Sequence, residues 1–354
     1  VYHYLCEIAD KEGLISPREL QMMALLTRSF CEREGAFDSA PAIAEQYAWQ
    51  VAQYLVPEKY KKAFDARFKP PGPVQRKETQ QAPSDYLITA SRQAISEQLD
   101  DLLWLREFKI QANHPVLSYG GLGGILLEGE PGAGKSELVI AKLRAQGFKE
   151  VDGAVVPEKP FYRMPVSLST EEQKKLLLKG FHEGAVVVID EINSSKSMER
   201  FLNHLLMGKT AEGDPPKKPG FLLIGTQNPA DMGGREAAGT ALSRRFVTTK
   251  LPSYNAQETE AILLSKGVEQ RKIRPLVNAF EKNVKKAKQE KLTPPPTLRE
   301  VLRVAESELP FKVGSAMGLL DGKPLTMKHP FFTQSKDRES APPGDNIETR
   351  FAVN

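Results

Sequence analysis

The octapeptide Gly129 to Ser136, GEPGAGKS, constrains this chain more than any other feature. It satisfies the spacing G-x-x-x-x-G-K-[ST] and follows an apolar run, Gly124 to Leu127, that reads as a buried strand. Glycines at this spacing let consecutive backbone N–H groups turn inward around a polyphosphate. Lys135 brings an ammonium to the β- and γ-phosphates, and Ser136 offers a hydroxyl to Mg²⁺. The following KSELVIAKLR, Lys135 to Arg144, predicts a helix with Leu138, Val139 and Leu143 toward a sheet and its positive dipole end aimed at the anion. A chance glycine-rich turn would not be framed by strand and helix in this way. The candidate nucleotide-contacting residues are Gly129, Glu130, Pro131, Gly132, Ala133, Gly134, Lys135, Ser136 and Glu137.

A phosphate cradle does not say what happens to the phosphate. Downstream, Ala185 to Ile189, AVVVI, is a continuous apolar run of the kind a parallel strand buried on both faces requires, and it ends in Asp190-Glu191. Acidic pairs after strands are common on surfaces, but one that follows a phosphate loop has a specific use. Asp190 is placed to hold Mg²⁺ together with Ser136, and Glu191 to polarise an attacking water as general base.

The chain has 354 residues, enough for two or three compact units. Hydrophobic residues at 40% and charged ones at 27% are ordinary for a globular protein, and a net charge of +4 permits an acidic partner without requiring one. Cys6 and Cys31 show neither metal-ligand spacing nor a disulfide framework, which suits a reducing, cytoplasmic compartment. No apolar run reaches the length of a membrane span and no signal peptide is visible. The sequence starts at Val1, as a piece excised from a longer chain would.

Periodicity divides the chain into five parts. Residues 1–68 read as a small helical domain, with helices at Val1 to Ala9, Pro17 to Cys31, Ala42 to Leu55 and Pro57 to Phe68. Residues 69–83 carry KPPGPVQRKETQQAP and read as a linker. Residues 84–252 open with a helix, Ser84 to Lys109, and then alternate. Strands are expected at Gly124 to Glu128, Phe161 to Leu168, Ala185 to Asp190 and Phe221 to Gly225, and helices at Lys135 to Gln146, Thr170 to His182 and Lys196 to Met207. Residues 253–312 are helices only, at Ala256 to Ser265, Arg271 to Lys288 and Thr297 to Leu309. Residues 313–354 form a tail rich in Gly, Pro and polar residues.

The strand Phe221 to Gly225 leads into Thr226-Gln227-Asn228-Pro229, which brings an amide to the sheet edge beside the acidic pair. Next come Gly233-Gly234-Arg235 and ALSRRFV, Ala241 to Val247, where two guanidinium groups precede an apolar strand and suit a phosphate-charge role. In this order the pieces resemble the AAA+ ATPases, most closely the branch containing MoxR, McrB, dynein and midasin. The resemblance runs from about Pro115 to Leu309 and is strongest at GTQNPADMGGREAAGTALSRRF, Gly225 to Phe246. It implies a P-loop NTPase α/β fold, with a parallel sheet flanked by helices, a C-terminal all-helical lid and here a small N-terminal helical domain. It also implies ATP or ADP with Mg²⁺ as ligands, and a homo-oligomeric, hexameric ring. By the same resemblance Asn228 is sensor 1, Arg245 the arginine finger acting in a neighbouring subunit with Arg244 as sharer or alternative, and Arg299 sensor 2.

The branch usually inserts a hairpin between its second and third strands, yet Leu168 and Ala185 are too close to hold one. Lys209 to Gly220, KTAEGDPPKKPG, is either a replacement for it or a plain solvated loop. Lys282 to Lys291, KNVKKAKQEK, reads as a solvated helix face before it reads as a nucleic-acid contact. His114 to Tyr119 is either an adenine-side contact or a connector, and the histidines lack clustered partners. The expected activity is ATP hydrolysis coupled to remodelling of a macromolecular client recruited by residues 1–68. The rival expectations are a non-hydrolysing nucleotide-dependent switch and a McrB-like motor subunit of a nucleic-acid enzyme, with GTP as an alternative fuel.

Overall fold

The computed structural model describes residues 1–8, 17–52, 56, 58–70, 72, 86–114, 123–151, 156–192, 198–229, 245–290 and 296–306. It places six parallel strands in one sheet: β1 (Gly124–Glu128), β2 (Lys149–Glu150), β3 (Pro160–Met164), β4 (Val186–Ile189), β5 (Leu222–Gln227) and β6 (Phe246–Lys250), in the order β2-β3-β4-β5-β1-β6. Parallel strands need crossovers, and these are supplied by α6 (Lys135–Ala145), α7 (Thr170–Glu183) and α8 (Glu199–Leu206). The helices cover both faces, so the central strands are apolar without alternation. Side-chain direction still alternates along them. Ile125, Leu127, Val186, Val188, Leu222 and Ile224 enter the core shared with α6, whereas Leu126, Val187, Ile189 and Leu223 enter the core shared with α7 and α8.

Helices α1 (Tyr2–Ile8), α2 (Pro17–Glu34), α3 (Ala40–Ala52), α4 (Glu58–Phe68) and α5 (Ala90–Gln111) precede the sheet. Packing does not separate them at residue 68. Leu26, Phe30, Cys31, Ile43 and Tyr47 share one core with Leu99, Leu103 and the sheet residues Ile125 and Leu127, whereas Leu5, Ala52, Val56 and Phe64 form a cluster of their own. Compactness accordingly divides the chain into residues 1–253 and 254–354. The second unit contains α9 (Ala256–Ser265), α10 (Gln270–Gln289) and α11 (Leu298–Glu306), which bury Leu263, Leu276, Val277, Leu298 and Val301 together.

Several boundaries differ from those expected for local reasons. The strand expected over Phe161 to Leu168 stops at Met164 because Pro165 has no N–H to donate, and Ser169 then caps α7 in a reciprocal box with Glu172. The helix expected from Ser84 begins at Ala90, after the extended residue Thr89. Lys209 to Gly220 is tied down at both ends: Lys209 N–H donates to the His204 carbonyl at 3.2 Å, Lys218 N–H to the His182 carbonyl at 3.0 Å, and buried Arg106 Nε to the Gly220 carbonyl at 2.6 Å. On α10, Lys282 and Lys285 are exposed while Asn283 and Ala287 are buried. Most of the expected linker, Pro115 to Tyr119, Gly233 to Arg235, Arg244 and the tail from 313 lie outside the described residues. No described helix is long and apolar enough to cross a membrane.

Candidate nucleotide site

Three strand ends build the site. Because β1, β4 and β5 are adjacent and parallel, with Glu128 beside Gln227 and Ile189 beside Gly225, the chain leaves all three at one edge. That edge receives Gly129 to Gly134 from β1, Asp190-Glu191 from β4 and Asn228 from β5. Gly132 and Gly134 take left-handed φ values of 75° and 77°, conformations that would strain a residue bearing a Cβ. Gly134 is the N-cap of α6, so the loop runs directly into the positive end of a helix.

Hydrogen bonds connect the expected residues. Lys135 Nζ donates to the Gly129 carbonyl at 2.7 Å, the Glu130 carbonyl at 3.0 Å and Asn228 Oδ1 at 2.8 Å. Asn228 is buried, and its Nδ2 donates to Glu191 Oε1 at 3.0 Å. One amide therefore links the lysine of the loop to the general-base candidate. Ser136 Oγ donates to Asp190 Oδ1 at 2.5 Å, joining the two metal candidates. Glu191 adopts φ 54°, a costly conformation for a residue with a side chain, and its N–H points to the hydroxyl of buried Thr226 at 3.4 Å.

A hydroxyl and a carboxylate in contact are hard oxygen donors that suit Mg²⁺, which keeps several waters and takes few protein ligands. Among the described residues no group of three or more His, Cys, Asp or Glu forms a metal cage.

The side chains of the other candidates make different contacts. Glu137 is exposed on the first turn of α6, and Glu130 Oε2 accepts from Ser253 Oγ at 2.6 Å. Half-buried Arg245 lies beside the start of β1, where its carbonyl accepts from Gly124 N–H at 3.1 Å and its Nε donates to Asn203 Oδ1 at 2.7 Å. Five strand residues separate that edge from the phosphate loop, about 16 Å at the usual rise. Arg299 is exposed on the first turn of α11, in the second unit.

Two arginines escaped sequence reading. Arg163, near the end of β3, reaches Asp190 Oδ2 with Nε at 3.3 Å and Nη2 at 3.2 Å. Its only sequence signal is a charge within an apolar strand. Arg92 on α5 contacts the phosphate loop itself, across 41 positions of sequence, and carries no local signal.

Residues 124–246 match the family model described as AAA domain, dynein-related subfamily. Over 152 residues, 39% of this chain, the sequence is 31% identical to midasin of Giardia intestinalis, and the match spans 3% of that protein. The matched stretch runs from the first residue of β1 to the first residue of β6. The chain carries an AAA+ ATPase domain of the dynein- and midasin-like branch, built on a P-loop α/β fold.

Proposed function

We propose that this domain binds ATP with Mg²⁺ and hydrolyses it at a site completed by a neighbouring subunit, and that the cycle remodels a macromolecular client. The observation that carries this is the unbroken contact from the phosphate-loop lysine through Asn228 to Glu191, beside the Ser136–Asp190 pair. Lys135 would exchange its chain acceptors for phosphate oxygens. Asn228 would then hold Glu191 and the attacking water in line, the kind of positioning on which phosphoryl transfer mainly depends. Ser136 and Asp190 would hold Mg²⁺, which when bound neutralises charge on the β- and γ-oxygens.

The distance of Arg245 from its own phosphate loop supports a finger that acts on another subunit's nucleotide, in a homo-oligomeric ring. By the family resemblance α9 to α11 take the lid role, Arg299 the sensor 2 role, and the N-terminal helices recruit a protein client. The Glu191→Gln variant tests the chemistry. Nucleotide affinity measured by fluorescence should be retained while steady-state hydrolysis falls by roughly 10²–10⁴-fold. Full turnover in that variant would remove Glu191 from its role.

A further inference from the structure

Arg92 lies in the first turn of α5, is fully buried, and extends its guanidinium to the back of the phosphate loop. Its Nη2 donates to the Ala133 carbonyl at 3.2 Å and its Nη1 to Ser91 Oγ at 3.1 Å. In a planar trans peptide the C=O and N–H point in opposite directions. Fixing the Ala133 carbonyl toward α5 therefore turns the Gly134 N–H away from α5, to the side where the loop cradles an anion. The glycines on either side of Ala133 are both left-handed, so this peptide has more rotational freedom than its neighbours and gains most from an anchor. The same guanidinium places positive charge behind an anion site in the protein interior.

The base of the anchor is itself fixed. Asp100 of α5 accepts from Lys142 Nζ at 2.8 Å and Gln146 Nε2 at 2.6 Å, and these residues lie on α6 and just past its end. Gln98 accepts from Thr249 Oγ1 of β6 at 2.5 Å. The next residue, Asp101, accepts from Tyr47 of α3 at 2.7 Å. Helix α5 is thus clamped both to the nucleotide core and to the N-terminal helices.

We propose that Arg92 is a positioning residue for the triphosphate, holding the Ala133 peptide so that the Gly134 N–H is presented to a phosphate oxygen. This rests on the assignment of GEPGAGKS as a triphosphate site. Binding of the fluorescent analogue mant-ATP, with Mg²⁺, by the full chain tests it. Arg92→Met should raise the Kd roughly tenfold or more, the loss typical of a charge-assisted hydrogen bond. Arg92→Lys, which restores charge and a donor, should fall between that variant and the wild type. A wild-type chain that does not bind mant-ATP would overturn the triphosphate assignment itself, whereas wild-type binding with an unchanged Kd in Arg92→Met would overturn only the role of Arg92. A crystal structure of the wild-type chain with ADP decides the matter if Arg92→Met does not fold. The Arg92 bond to the Ala133 carbonyl should persist while the Gly134 N–H donates to phosphate, and a carbonyl turned away from Arg92 would overturn the proposal.

Discussion

Asn228 holds both ends of the proposed chemistry through one planar amide: its Oδ1 accepts from Lys135 and its Nδ2 donates to Glu191. An amide can do this because it carries an acceptor and a donor a fixed distance apart, which neither a carboxylate nor an alkyl group offers. Asn228→Ala leaves the lysine and the glutamate in place but unlinked. The expected result is kcat reduced by roughly 10²-fold or more with a much smaller change in nucleotide Kd, because what is lost is alignment in the transition state. Equal losses in kcat and affinity, seen by comparing steady-state hydrolysis with equilibrium binding, would assign Asn228 to ground-state binding instead. The pattern TQNP after an apolar run made Asn228 legible in the sequence. Thr226 and Arg163, which contact Glu191 and Asp190, were not, because their roles arise only when β3, β4 and β5 lie side by side.

At the scale of elements, α7 begins and ends on specific contacts. Its start is the Ser169–Glu172 box, in which the hydrogen bonds from the Ser169 hydroxyl and N–H hold the Glu172 carboxyl below the usual carboxylate range. A folded-state pKa below the unfolded value of about 4.3 means that this contribution is complete above that pH and is lost as pH falls through the folded value. Ser169→Ala should destabilise by about 1 kcal/mol at neutral pH, with the gap to wild type narrowing in acid, as read by denaturant unfolding at both pH values. The end of α7 is Gly184, with φ 67°, where a Cβ would meet the Pro219 carbonyl oxygen at 2.1 Å. Arg106 Nη2 donates to the Gly184 carbonyl at 2.8 Å and its Nε to that of Gly220, so one buried side chain ties this corner to the tethered loop before β5. Gly184→Ala should cost about 2–5 kcal/mol, since left-handed strain and a backbone clash add. A melting temperature close to wild type would contradict that packing.

For the whole molecule, sheet geometry bears on assembly. Arg245 and the phosphate loop occupy opposite ends of the adjacent strands β6 and β1, so a finger role for Arg245 requires a second copy. Lys135→Ala and Arg245→Ala should each be inactive alone. Mixed, they should recover part of the wild-type turnover, because an interface pairing the phosphate loop of one variant with the arginine of the other is intact. No recovery at any mixing ratio or protein concentration, in a steady-state hydrolysis assay, would place Arg245 outside a shared site.

The phosphate loop, the acidic pair, the strand–helix alternation and the helical character of the C-terminal unit can all be read from residue order alone, since each is a matter of local spacing and periodicity. What lies between those signals came from packing. It merged α2 and α3 with the nucleotide core through contacts to α5, ended β3 at Met164, and brought Arg92 to Ala133 and Arg163 to Asp190. Burial and hydrogen bonding between residues far apart in the chain depend on which surfaces meet, and no local pattern of residue types encodes that meeting.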